Sequence, residues 1–335
     1  MPRPGPRNLI TDVPGLTVGC AQDEAVRTGV TVVLCPEGWN AAVDVRGGGP
    51  GVRETDTLSP ENSFSRAHAV CLSGGSVFGL GAADGVASAL SARDVGIHLA
   101  AGSLAIPIVP GAVLHDLANG GDKAWGTDPP YRALGMAAVA AAGQAFELGA
   151  VGAGRGAKAG LVKGGLGSAS IDLGGGLIVG ALVAANPIGS VYMPDGETFW
   201  AWPFEIDGEY GGHVPNGAVS ATEPLPDESK LGAAGRLRPG ANTTLAVIAV
   251  TADLSTAEAK RVAMMAHDGM GRAVRPAHTA FDGDVVFALA SGAVSLGHDP
   301  ATRPVEVSRM GSAAADCLAR AIARAVYEAR DFRES

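Results

Sequence analysis

The sequence has little of what marks several large classes of protein. Cysteine occurs four times in 335 residues (Cys20, Cys35, Cys71, Cys317), scattered without C-x-x-C spacing. Three of the four lie in or beside apolar, strand-like runs, which reads as buried thiols in a reducing cytoplasm rather than as a disulfide scaffold. No window of about 18 residues is apolar without interruption, so no membrane-spanning helix is expected. Basic residues are outnumbered, 25 Lys and Arg against 34 Asp and Glu, for a net charge of −9. They are not clustered either, and without clustered cations a nucleic-acid backbone has no surface to bind. Met1 to Asn8 is polar and holds Pro and Arg, which lacks the basic-then-apolar pattern of a secretory signal. The histidines form no H-x-x-x-H or H-E-x-x-H pair, so neither a zinc site nor another cofactor is expected.

Glycine is what the chain has in excess: 49 residues, twice the usual ~7%. The glycine clusters alternate with apolar runs, which points to closely approaching backbones and tight turns, not to disorder. The length suits one large domain or two ordinary ones, with ample core.

One stretch carries chemistry. A Pro- and Gly-rich run from about 207 to 240, read as a flexible linker, gives way at Asn242-Thr243-Thr244 to Leu245-Ala246-Val247-Ile248-Ala249-Val250, a buried central strand. A cut between Asn242 and Thr243 would make Thr243 an amino terminus with a hydroxyl nucleophile and an α-amine. An α-amine has a pKa of about 7.7–8.0, low enough to take the proton of its own hydroxyl near neutrality. On the dipeptide alone, Thr-Thr as ordinary strand propensity is the commoner reading.

Along the chain, strands are expected at Ile10–Val18, Gly29–Leu34, Val43–Arg46, Ala67–Leu72, Val95–Leu99, Leu104–Val109 and Leu177–Ala184. Helices are expected from Ser76 to about Ala92, from Tyr131 to about Leu148, from a Ser255/Glu258 capping box to about Ala273, and from Met310 to Arg330. The Gly74-Gly75 turn at a helix start could bind an anion. Asn186 closes a strand and could donate to an oxyanion, with a backbone amide near Gly120 or Gly121 as a second donor. Gly152 to Ala157 matches G-x-G-x-x-A but lacks the strand and helix that would make it a dinucleotide site. Asp282 and Asp284, two apart before a strand, face one side at a strand's period and require a cation nearby. The alternation of strands and helices reads as α/β or α+β.

Several of these segments together resemble one family: the self-processing amino-terminal-nucleophile hydrolases that include L-aminopeptidase/D-amidase-esterases, β-peptidyl aminopeptidases and 6-aminohexanoate-oligomer hydrolases. The resembling stretches are Ile10–Gly15, Val45–Gly48, Leu72–Leu80, Lys163–Ser170, Asn242–Thr244, Ala266–Gly269 and Phe281–Asp284, in the family's order. The resemblance implies a four-layer αββα sandwich, cleavage into chains of residues 1–242 and 243–335, and a homotetramer. It implies Thr243 as nucleophile, Asp282 and Asp284 orienting its amine, Asn186 as oxyanion donor, Lys163 helping the Thr243 hydroxyl, and Tyr131 near the scissile amide. Small peptides or linear oligoamides are the implied substrates. Asp-Gly-Asp stands where many of the aminopeptidases carry Ser-x-Glu, which leans toward the oligoamide hydrolases. Acyl transfer of the ornithine-acetyltransferase type, with a comparable self-cleaved Thr, and a non-catalytic scaffold are the competing readings.

Overall fold

The computed structural model describes residues 3–217, 223–233 and 242–331. Its strands in chain order are β1 (Thr17–Asp23), β2 (Thr28–Val45), β3 (Gly51–Arg53), β4 (Arg66–Ser73), β5 (Gly111–Val113), β6 (Lys158–Ala159), β7 (Val162–Lys163), β8 (Gly165–Asp172), β9 (Ile178–Asn186), β10 (Thr243–Ala252) and β11 (Val285–Val294). The helices are α1 (Ala82–Ser91), α2 (Tyr131–Ala140), α3 (Lys230–Ala233), α4 (Thr256–Ala273) and α5 (Arg303–Ala329).

Residue alternation along the strands sorts the interior into layers. In β10, Leu245, Val247 and Ala249 face one core while Ala246, Ile248 and Val250 face another, so the strand is apolar on both sides. The first of these cores lies between sheet and sheet, where residues of β2, β4, β9, β10 and β11 meet. The second lies under α4 and α5. A third, built on Val30, Val32 and Leu34 of β2, is covered by α1 and α2. Helices, sheet, sheet, helices: this is the four-layer αββα sandwich.

The two sheets are hydrogen-bonded into one path, β3-β5-β4-β2-β11-β10-β9-β8, because β2 belongs to both. Its first half pairs with β1 and β4, its second half, from Asn40 to Val45, with β11, and the register shifts between Leu34 and Trp39. Pro36-Glu37-Gly38 lies at that shift, where a bulge bends the strand from one layer to the other. Glycine sets the spacing between layers: a Cβ on Gly19 would stand 1.9 Å from the Ala138 carbonyl of α2, and one on Gly167 would stand 1.9 Å from the Ala321 carbonyl of α5.

Several sequence expectations are corrected. Ile10–Asp12 is a 3-10 turn, and the strand begins only at Thr17, after Pro14-Gly15. Val43–Val45 is the end of β2 rather than part of a separate strand, and Arg46 lies just beyond it. The two strands expected at Val95–Leu99 and Leu104–Val109 amount to one bridge, Ile97 to Ile106. Helix α2 stops at Ala140, short of Leu148, and α5 starts earlier than expected, at Arg303, with Pro304 in its first turn. The Ser255/Glu258 capping box does open α4. The stretch expected as a flexible linker is fixed at both ends where it is described. Tyr210 is buried, Glu209 pairs with Arg320, and Lys230 reaches Asn242; residues 218–222 and 234–241 lie outside the described residues.

Candidate active site

Three neighbouring strands bring the chemistry to one end of the sheet. β9 and β10 are antiparallel with Thr243 opposite Asn186, so the last residue of one meets the first of the other. β11 runs parallel to β10, and the loop leading into it crosses the start of β10, with Asn242 bridged to Asp282. The glycine run after β2 backs this loop. The Arg46 and Gly47 amides donate to the Asp284 carbonyl at 3.0 and 3.2 Å, and the Gly49 amide donates to the Asp282 carbonyl at 2.8 Å. A side chain on Gly47 would strike the Asp284 nitrogen at 2.2 Å, so only glycine lets the two backbones meet.

The Asn242 carbonyl is the focus. It accepts a hydrogen bond from the Gly283 amide at 2.8 Å and one from the Thr243 hydroxyl at 2.5 Å. Asn242, Thr243 and Thr244 are all buried. A carbonyl polarised by an N–H, with a hydroxyl on the following residue, is the ground state an N-to-O acyl shift requires.

Both carboxylates are built into this region. Asp284 Oδ1 accepts from the Thr244 amide at 2.7 Å, and its Oδ2 from the His278 ring Nδ1 at 2.8 Å and the His278 amide at 3.2 Å. Asp282 accepts from the Ile188 amide at 3.1 Å, the Thr279 amide at 3.0 Å and the Thr279 hydroxyl at 2.7 Å. Burial, then the neighbouring Asp284 charge, holds the Asp282 carboxyl above its ordinary pKa. Burial opposes protonation of His278, but the hydrogen bond and charge of Asp284 outweigh it and raise its pKa. His267 stacks edge-on against His278 with ring centroids 4.8 Å apart, and its Nε2 lies 3.1 Å from the Asp44 carbonyl. Burial depresses His267 to about 4.

Beside the Asn242 carbonyl is a cavity of about 180 Å³, lined by His115, Asp116, Asn119, Lys158, Asn186, Lys230 and Asn242 among others. Asn186 Oδ1 accepts from the Lys158 amide at 2.9 Å, while its Nδ2 makes only a long bond, 3.4 Å, to the His115 carbonyl. The Lys230 ammonium donates to Asn242 Oδ1 at 2.7 Å and to the Lys158 carbonyl at 2.8 Å. Burial draws Lys230 down to about 7 against the opposing pull of Asp282. The buried Nδ2 of Asn242 has no hydrogen-bond partner among the described residues.

Asn186, Asn242, Thr243, Asp282 and Asp284 thus converge. Lys163 flanks them from β7, opposite Lys158 of β6, with its ammonium on the Arg155 carbonyl at 2.8 Å. Tyr131 is fully buried at the start of α2, its hydroxyl where a Cβ on Gly75 would stand. It is not among the residues that line the cavity; Asp116, which does line it, accepts from Thr28 Oγ1 at 2.6 Å and from the Gly75 amide at 2.7 Å. The anion at the Gly74-Gly75 turn is therefore the protein's own carboxylate. The Gly121 amide turns to Asn119 Oδ1 at 3.3 Å, and the amide that meets the Asn242 carbonyl is that of Gly283. Lys230, Gly283 and His278 were not singled out from sequence. Lys230 stands in a run whose Pro and Gly content reads as linker, and the Gly283 role is a backbone one that no side chain advertises.

Residues 8–335 match the model of peptidase family S58. An uncharacterized aminopeptidase of Mycobacterium tuberculosis (strain ATCC 25618 / H37Rv) is 45% identical over 96% of this chain and 94% of its own length. A 6-aminohexanoate-oligomer endohydrolase of Kocuria sp. (strain KY2) is 31% identical over 96% of this chain and 86% of its own. Among solved structures, a Burkholderia sp. beta-aminopeptidase superposes with a TM-score of 0.65 at 25% identity, covering 97% of this chain and 88% of that one. The fold is also that of an L-aminopeptidase D-Ala-esterase/amidase from Ochrobactrum anthropi, a variant of the Ntn-hydrolase fold, with a TM-score of 0.65 at 19% identity over 98% and 88% of the two chains.

Proposed function

The chain belongs to peptidase family S58 and is an amide-bond hydrolase, and from that premise we propose that it cuts itself between Asn242 and Thr243 and then uses Thr243 as an amino-terminal nucleophile. The observation that carries this reading is the Asn242 carbonyl, held between the Gly283 amide at 2.8 Å and the Thr243 hydroxyl at 2.5 Å.

In the self-cleavage step the Thr243 oxygen adds to the Asn242 carbonyl carbon, and the developing oxyanion is held by the Gly283 amide. The bond from that carbon to the Thr243 nitrogen breaks, and the hydroxyl proton ends on that nitrogen. Water then adds to the resulting ester and splits it, leaving a carboxylate on Asn242 and restoring the hydroxyl of Thr243. The freed α-amine now lies next to its own hydroxyl and can take its proton when a substrate carbonyl arrives. Asp284, fixed by His278 and bonded to the Thr244 amide, keeps the new terminus in place. Asn186, directly across from Thr243, has the loosely committed Nδ2 that an incoming oxyanion can recruit. Small peptides or linear oligoamides are the proposed substrates, since the cavity beside Asn242 is small, with the polar side chains of Asn186, Lys230 and Asn242 on its wall.

Mass spectrometry of the purified protein tests the reading. Two fragments that divide the 33.4 kDa chain after Asn242 are expected. A single intact chain that hydrolyses amides at full rate would falsify it.

A further inference from the structure

Lys230 belongs to a stretch that otherwise reads as linker, yet it is held from several sides. Its backbone amide donates to the Ile188 carbonyl at 2.9 Å, and the Ile188 amide in turn donates to Asp282 Oδ1 at 3.1 Å. Ser229, just before it, is fully buried. At its far end the ammonium joins the Lys158 carbonyl of β6 to Asn242 Oδ1, at 2.8 and 2.7 Å. Among the described residues Asn242 has no other side-chain anchor, because its Nδ2 is buried without a partner there. The side chain that sets how Asn242 sits is thus held by one charge-assisted bond, and such bonds are about twice as strong as neutral ones.

We propose that Lys230 is a positioning residue for self-cleavage: by fixing the Asn242 side chain it keeps the Asn242 carbonyl between the Gly283 amide and the Thr243 hydroxyl. The proposal rests on the reading that this bond is the one cut. Lys230 acts through Asn242 and does not touch the reacting atoms. A misplacement of about 1 Å at a reacting centre can slow a reaction roughly 100-fold, so one bond at this remove is sufficient to govern maturation. The groups that face the ammonium from the surrounding elements are Asp282 before β11, Lys158 of β6, and His115 and Asp116 after β5. The depressed pKa of Lys230 adds a signature, because the clamp loses its charge as pH rises through about 7.

The test is a double-mutant cycle on the rate of fragment appearance, using full-length chains of wild type, Lys230→Met, Asn242→Ala and the double variant, with thermal melts to confirm folding. Lys230→Met is expected to slow cleavage about 100-fold, and to add almost nothing in the Asn242→Ala background, since the group it positions is gone. Lys230→Arg, which keeps a cation, is expected to recover part of the rate at pH 8, where wild-type Lys230 is losing its charge. Independent, additive slowing by the two substitutions, or a wild-type rate in a folded Lys230→Met chain, overturns the proposal. Absence of any cut after Asn242 in the wild-type chain would instead remove the parent reading, and is seen before the variants are compared.

Discussion

Two charged residues of the same Pro- and Gly-rich run, Glu209 and Lys230, are used in opposite ways. Glu209 meets Arg320, which is completely buried on α5. The guanidinium spends Nε and Nη2 on Glu209 at 2.5 and 3.0 Å, Nη1 on the Ser170 carbonyl at 2.9 Å, and Nη2 also on Asn8 Oδ1 at 2.9 Å. Each nitrogen of Arg320 is thus engaged, and Glu209 raises the Arg320 pKa despite burial. Around Asn242 the accounts do not close. Asn242 Nδ2 and His267 Nδ1 are buried without partners among the described residues, Asp282 is held above its normal range, and Lys230 is drawn down toward neutrality. Saturated buried charge holds a fold together, whereas unsaturated polarity at a strand end is where chemistry remains to be done.

The comparison can be broken from either side. Thr243→Ala is expected to have the largest effect, removing both self-cleavage and about 10⁴- to 10⁶-fold of amide hydrolysis while the fold persists; electrophoresis and a turnover assay report both. Arg320→Met should do the reverse. It leaves the buried Glu209 carboxylate with only the longer ion pair to Arg324, 3.6 Å, at a loss of about 3 kcal/mol in denaturant unfolding, and any protein that still folds should cleave itself.

The acid side of the stability profile sharpens the contrast. His267 has a folded pKa of about 4, below its unfolded value of roughly 6.5, so the unfolded chain binds the extra proton first. Stability is therefore lost as pH falls from about 6.5 toward 4, by up to about 3 kcal/mol. His278, whose pKa is raised, contributes with the opposite sign: its share is present below about 6.5 and is lost as pH rises through its folded pKa. His267→Gln should flatten the acid limb only, and a limb unchanged in that variant would assign the loss to other groups. The smallest effect is expected from Gly283→Ala. The new Cβ would stand 2.6 Å from the Thr243 hydroxyl, which should slow fragment appearance about 100-fold in a time course.

What the sequence made legible followed from periodicity. The β-branched run after Thr244 became β10, the apolar run before Pro187 became β9, and the period-two spacing of Asp282 and Asp284 placed them together at the start of β11. Local signals failed where tertiary packing decided. Pro36-Glu37-Gly38 reads as a break, yet β2 continues through it because β4 pairs on both sides of the bulge and β11 pairs from Asn40 onward. The alanines after Ala140 continue a helical pattern, but the chain leaves α2 so that the Gly143 carbonyl can accept from the Val18 amide. Lys230 was hidden because its partners, Asn242 and Lys158, are distant in sequence, and nothing local marks a lysine that will be held by a neighbour's carbonyl. The sequence called for a Lys or a terminal ammonium near the Asp282/Asp284 pair; in the structure His278 bonds Asp284 at 2.8 Å, and Lys230 feels the charge of Asp282.

The placement of β10 and β11 between β9 and β2 has a kinetic consequence. A cut after Asn242 would leave residues 243–335 contributing the two inner strands, with their outer neighbours on the other fragment. The halves would then be interleaved rather than merely apposed, and would separate only when the sheet itself unfolds. Recovery of the cut form from denaturant would be an encounter of two chains, faster at higher protein concentration, while the uncut chain would refold at a rate indifferent to dilution.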